Sequence, residues 1–121
     1  MSAAIFLSDI TGSEGFIELD RLTSELHITR SELAQVAGLS RDAVSKVARW
    51  RAPATQSRLR DVTDILTRVR GWAGSGQHAL AWYRSQPLPS FGDQTAEALV
   101  KEGRANAVRG YLDRIAVGGY A

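Results

Sequence analysis

One stretch of the chain constrains the fold more than any other: Thr29 to Arg51, TRSELAQVAGLSRDAVSKVARWR. Thr29 and Glu32 stand at the spacing of a capping box, in which each side chain satisfies a backbone N–H of the first helical turn. Leu33, Val36 and Ala37 follow on one helical face. Gly38 can take the left-handed conformation without a steric penalty, and so stops the helix. Leu39 plugs the corner, and Ser40 is a good N-cap for a second helix carrying Val44 and Val47. The reading is two short helices joined by a tight turn, with Ala34 small because the second helix crosses close above it. Ala34, Gly38, Val44 and Val47 are the structural positions of that corner.

A small residue, a turn glycine and two core contacts in this order resemble the helix-turn-helix of the Xre and lambda-repressor class. The resemblance makes the second helix a recognition helix. Its outward positions are Ser40, Arg41, Asp42, Ser45, Lys46 and Arg49, with Arg51 just beyond. Arginine and lysine donate to guanine edges or phosphates, and serine donates to either. The competing reading of the same residues is a helical hairpin whose polar face is merely solvated.

The distribution of charge bears on that choice. The net charge of +2 conceals an asymmetry. Residues 1–40 hold two bases against six acids, a net −4; residues 41–70 hold eight bases against three acids, a net +5; the remainder is +1. Positive charge is concentrated on and just after the second helix, where a phosphate backbone would be met.

Composition excludes other classes. With 121 residues the chain has room for one domain or two very small ones. No cysteine is present, so disulfides and thiolate metal sites are ruled out and a cytoplasmic location is expected. His27 and His78 sit in no metal-ligand pattern. No apolar run approaches a membrane span, and no signal peptide is visible. Nor does a nucleophile with a paired base appear, so no enzymatic activity and no cofactor are expected. GWAGSG, residues 71–76, superficially suggests a phosphate loop but lacks the following lysine and the preceding strand. It reads as a hinge.

Along the chain, residues 1–15 show no period and form an N-terminal arm, in which Ile5, Phe6 and Leu7 could pack on a partner. Phe16, Leu19, Leu22 and Leu26 share a helical face. Leu59, Val62, Leu66 and Val69, with Ile65 beside them, predict a helix of about four turns. A short helix carries Leu80, Trp82 and Tyr83; Thr95 caps another with Leu99; a last one sets Ala105, Val108, Leu112 and Ile115 on one face. Gly110 within it implies a close helix approach. No segment alternates long enough for a confident strand. The expected class is all-α with roughly seven helices: a helix-turn-helix bundle at 16–73 and a small helical region at 77–121.

The landmarks of that last region come in a specific order: AWYRSQPLPSFGDQTAEALVKEGRANAVRGYLDRIAVGGYA. A tryptophan-bearing helix precedes a proline-broken loop, a glycine before a capped helix, Gly103, and a final helix ending in glycine and an aromatic tail. This resembles the C-terminal toxin-binding region of the Xre/MbcA/ParS-type antitoxins that partner RES-domain toxins. Trp82, Gly92, Leu99, Gly103, Val108, Leu112, Ile115 and Gly118 are the matching positions. Two departures fall in the loop: Ala96 stands where the family commonly has proline, and residues 88–91 replace an asparagine-containing loop.

The resemblance implies a non-enzymatic antitoxin that blocks the NAD cleft of an NAD-consuming or ADP-ribosylating toxin. It also implies operator DNA as a second partner, a homodimer, and a toxin–antitoxin complex of 2:2 or higher order. Trp82, Leu99, Leu112 and Ile115 would be core residues of that region. Toxin contact would fall on Arg109, Arg114, Gly118, Gly119, Tyr120 and Ala121. The alternative is a stand-alone helix-turn-helix repressor whose C-terminal region dimerises.

Overall fold

The computed structural model describes residues 9–118. Among these residues seven α-helices succeed one another: α1 (Leu19–Leu26), α2 (Arg30–Ala37), α3 (Val47–Trp50), α4 (Pro53–Ala73), α5 (Gly76–Ser85), α6 (Ala96–Lys101) and α7 (Ala105–Gly118), with 3-10 turns at Asp42–Val44 and Pro89–Phe91. Among the described residues, β pairing is confined to two isolated bridges, Thr11 with Ile17 and Leu88 with Gln94. The all-α class expected from the absence of alternating segments is the class observed.

The central element is α4. Leu59, Val62, Ile65, Leu66 and Val69 are all fully buried along its apolar stripe. The helix has 21 residues, about 31 Å at 1.5 Å per residue, longer than the four turns its stripe predicts. Pro53 sits at the first helical position, where a missing N–H costs nothing. At the other end the helix runs through Gly71 and stops at Gly74, whose N–H donates to the Arg70 carbonyl at 3.1 Å. Ser75 at once caps α5 by accepting from the His78 N–H at 3.1 Å. Residues 71–76 are therefore the end of one helix and a tight corner into the next, not a hinge.

The core continues across that corner. One cluster contains Leu22, Leu33, Leu59, Leu66, Tyr83, Leu99 and Val108. Helix α5 packs along α4 and touches α1; α6 meets α2; α7 lies against α4 and α6. The segments at 16–73 and 77–118 interleave because neither presents enough apolar surface to close a core alone.

Several expectations need correction. From residue 9 onward the N-terminal stretch is folded: Ile10 is fully buried, and its carbonyl accepts the Glu18 N–H at 2.9 Å. Ile5, Phe6 and Leu7 lie outside the described residues. Trp82 is only half-buried, edge-on to Trp72 with ring centroids 5.7 Å apart, while its neighbour Tyr83 takes the core position. Burying Ala79, Leu80 and Tyr83 turns Trp82 to the border of the apolar face, since adjacent helical positions differ by about 100°. Ile115 is likewise half-buried, and Leu112 is the last buried residue described on α7. Gly110 marks no close helix approach: a Cβ placed there would meet only Arg114 Nη1, at 3.8 Å.

Candidate nucleic-acid interface

The first half of the corner forms as its sequence dictates. Thr29 Oγ1 accepts the Glu32 N–H, and Glu32 Oε1 accepts the Thr29 N–H, each at 3.1 Å. Gly38 adopts φ 67°, and the Leu39 N–H donates back to the Ala34 carbonyl at 2.8 Å. Space as well as conformation demands glycine: an added Cβ would lie 2.9 Å from Lys101 Cγ and 3.0 Å from Arg58 Nη1. Arg58 Nη1 donates to the Ala37 carbonyl at 2.9 Å, satisfying one of the carbonyls that a helix C-terminus leaves open.

The second half departs from the expected helix. Ser40 Oγ does cap, accepting the Ala43 N–H at 3.1 Å, but only a 3-10 turn follows. Lys46 is extended, with φ −136° and ψ 151°, and α3 is a separate single turn. Val44 is buried as expected, whereas Val47, expected in the core, is 53% exposed. The cause lies three residues on. A continuous helix would set Trp50 about 240° around from Val44, on a different face. The break at Lys46 lets both Val44 and Trp50 enter the core, and burying an indole outweighs burying one valine. Arg30 steadies the turn, its Nη1 donating to the Val44 carbonyl at 3.2 Å while its Nη2 meets Asp20 at 2.7 Å.

The polar residues assigned to the recognition face remain outside. Ser40, Arg41, Asp42, Ser45, Lys46 and Arg49 are all exposed. Arg41 and Lys46 have no ion-pair partner among the described residues, and Arg49 pairs loosely with Asp42 at 3.4 Å. Ser45 Oγ donates to the Asp42 carbonyl at 2.8 Å. Arg51 does not join them. Its Nη1 and Nη2 meet Glu14 at 3.1 Å and Glu18 at 3.3 Å, and its guanidinium stacks over Phe16 and Trp50 at 4.8 and 5.4 Å. The outward cationic surface is Arg41, Lys46 and Arg49, on a turn and a short helix.

The residues assigned to toxin contact divide. Arg109 is spent within the fold: Nε donates to Asp64 Oδ2 at 2.6 Å, Nη2 to Asp61 Oδ1 at 2.9 Å and Nη1 to Asn106 Oδ1 at 2.9 Å. Burial acts to lower its pKa, but the hydrogen bonds and charges of the two aspartates outweigh burial and raise it above the ordinary value. It ties α7 to α4, beside Arg68, whose Nη1 donates to Asp113 at 2.7 Å. Arg114 is exposed, its guanidinium 5.9 Å from the Tyr111 ring. Gly118 closes α7. Gly119, Tyr120 and Ala121 lie outside the described residues.

Three side chains that no sequence motif marks shape this surface from beneath. Gln56 is 2% exposed; its Oε1 accepts the Ile17 N–H, and its Nε2 donates to the carbonyls of Ile17 and Trp50. Its signal was phase, since Gln56, Leu59, Thr63 and Leu66 follow one another down the buried face of α4. Tyr83 donates its hydroxyl to the Val36 carbonyl at 2.9 Å, and burial raises its pKa far above the ordinary value. Arg58 caps α2 and could not be told from a solvated arginine. Among the described residues no group of acidic, histidine or cysteine side chains is placed to hold a metal, and no helix is long and apolar enough to cross a membrane. Comparison of the chain with protein-family models, curated proteins and solved structures found no match.

Proposed function

We propose that this chain is the antitoxin of a toxin–antitoxin pair: it neutralises a RES-domain toxin that acts on NAD, and it binds the operator of its own operon. The reading rests on the resemblance of residues 77–121 to the toxin-binding region of Xre/MbcA/ParS-type antitoxins. One structural observation carries it furthest. Helix α7 continues beyond Leu112, its last described buried residue, to Gly118, so that Arg114 and Ala116 are exposed on its final turns. The landmarks of the resemblance also occupy demanding positions: Gly92 and Gly103 have φ 64° and 81°, and Thr95 caps α6. Arg109 is left out of the toxin-facing surface because Asp61 and Asp64 hold it. The surface offered to the toxin is Arg114, Gly118 and the tail residues Gly119, Tyr120 and Ala121.

DNA binding is supported by the exposed trio Arg41, Lys46 and Arg49 beside the capped α2 corner. In a dimer, two such surfaces enter successive major grooves about 34 Å apart. The protein acts by occupying its partners rather than by chemistry of its own, in the cytoplasm.

The test is co-expression with the reading frame adjacent to the gene, which on this reading encodes a RES-domain toxin. The two proteins co-purify, and NAD consumption by the toxin is suppressed. Truncation after Val117 leaves the melting temperature nearly unchanged and restores toxin activity, because terminal residues contribute little to a core. A truncated protein that still neutralises fully removes the tail from the mechanism. Replacing Arg41 and Lys46 with alanine weakens operator binding and flattens its salt dependence by about one unit of slope for each phosphate no longer neutralised. If no partner co-purifies while operator binding persists, the stand-alone repressor is the correct reading.

A further inference from the structure

Where the loop before α1, the middle of α4 and Arg109 of α7 meet, they enclose a pocket of about 390 Å³. That volume is within the range of small-molecule sites, about 300–1,000 Å³. Its long wall is one face of α4, on which Arg60, Thr63, Asp64 and Thr67 follow at helical spacing. Arg60 and Thr67 stand two turns apart, about 10.5 Å along the helix. Ile17 lines the pocket from the loop, and the wall it shares with the threonines is largely apolar.

Most polar groups of the pocket are spent on one another. Thr63 Oγ1 donates to the Arg60 carbonyl at 3.3 Å. Asp64 Oδ2 accepts from Arg109 Nε at 2.6 Å, and its Oδ1 lies 3.7 Å from Arg68 Nε, so both carboxylate oxygens face a guanidinium. The other two nitrogens of Arg109 are held by Asn106 and Asp61. Two groups are left over, one at each end. The Thr67 hydroxyl oxygen is buried and has no hydrogen-bond partner, although a buried hydroxyl is ordinarily satisfied. A helical threonine has two open rotamers, with which that hydroxyl can turn to a ligand. At the other end Arg60 is exposed, and its guanidinium has no hydrogen-bond or ion-pair partner among the described residues. An exposed arginine by itself is only a solvated side chain. Here it carries the one lining charge left uncompensated among the described residues, on a pocket whose far end holds an unsatisfied hydroxyl.

We propose that this pocket binds a small aliphatic acid with a second polar group at the far end of its chain. The carboxylate accepts from the Arg60 guanidinium, a charge-assisted contact. The chain lies along Ile17 and Thr63, and the far polar group pairs with the Thr67 hydroxyl. Binding of such a ligand needs neither toxin nor DNA, and so goes beyond the antitoxin role.

The test uses the full chain with ω-hydroxyhexanoate as the probe, and hexanoate, hexanediol and ω-aminohexanol as controls. Titration with ω-hydroxyhexanoate shifts the amide resonances of Ile17, Thr63 and Thr67, with a Kd on the order of 1 mM for a ligand of so few atoms. Hexanediol and ω-aminohexanol leave those resonances in place. Arg60→Gln keeps the melting temperature of the free protein and weakens binding of both acids roughly tenfold. Thr67→Val exchanges the unsatisfied hydroxyl for a methyl, so it raises the melting temperature of the free protein. The same variant binds ω-hydroxyhexanoate no more tightly than hexanoate.

Failure of both acids to move any of the three resonances overturns the site. Binding of hexanediol or ω-aminohexanol as tight as that of the acids overturns the assignment to an acid, as does full affinity in Arg60→Gln. A Thr67→Val protein with a lower melting temperature and undiminished affinity overturns the polar far end, because the hydroxyl is then satisfied within the fold.

Discussion

Gln56 is the polar side chain on which the most backbone depends, and replacing it should show what a single buried amide contributes. It clips the loop before α1 and the end of α3 to α4 through three hydrogen bonds of 2.9, 3.1 and 2.9 Å. Gln56→Leu keeps most of the volume and removes all three. The Ile17 N–H and the carbonyls of Ile17 and Trp50 are then buried without these partners, at about 1–3 kcal/mol each. The added apolar burial returns about 1 kcal/mol. The net loss is roughly 2–8 kcal/mol, a large share of the 5–15 kcal/mol typical of a domain. At this chain length even the low end corresponds to a fall in Tm of roughly 8 °C, measured by circular dichroism.

Gln56→Glu supplies an internal check. One carboxylate oxygen can still accept the Ile17 N–H, but the other faces two carbonyls. Burial and those carbonyls raise the folded-state pKa of the new carboxyl above its unfolded value of about 4.3. Stability of this variant is therefore highest below pH 4 relative to the parent, and falls as pH rises towards the folded pKa. A Gln56→Leu protein melting within two degrees of the parent would refute the reasoning, as would a Gln56→Glu protein whose deficit does not change with pH.

Tyr83→Phe leaves the Val36 carbonyl without its partner and costs about 1–2 kcal/mol in urea unfolding; in alkaline titration followed by absorbance, the Tyr83 phenol ionises only as the protein unfolds. Gly71→Ala and Gly110→Ala each stabilise by about 0.5–1 kcal/mol, because both glycines are helical and an added methyl meets nothing at Gly71 and only the tip of Arg114 at Gly110. Arg109→Gln lowers stability by about 1–2 kcal/mol at low salt and by less at 1 M salt, and it increases hydrogen exchange in α7. Unchanged stability with weakened toxin binding would return Arg109 to the contact surface.

Local instructions were legible in the sequence wherever a few neighbouring residues settle the matter. The capping box at Thr29 and Glu32, the left-handed stop at Gly38, the caps at Ser40 and Thr95 and the buried stripe of α4 depend on backbone sterics and helical period, which short-range spacing encodes. The exposure of Arg41, Lys46 and Arg49 was legible for the same reason, since long charged side chains rarely enter a core.

What the sequence alone left undecided were competitions between residues distant along the chain. Val47 and Trp50 could not both enter the core with Val44 on one helix, and only the tertiary arrangement decided for the indole and broke the helix at Lys46. Arg51 and Arg109 read as free cations until Glu14, Glu18, Asp61 and Asp64 were brought beside them by packing across 33 to 48 residues of chain. Gln56 carried no mark of its role in the sequence, because two of the three backbone groups it satisfies belong to a loop 39 residues earlier. The single core shared by 16–73 and 77–118 was hidden for the same physical reason. An amphipathic pattern states which face is apolar, and the apolar face that covers it is fixed only when the helices meet.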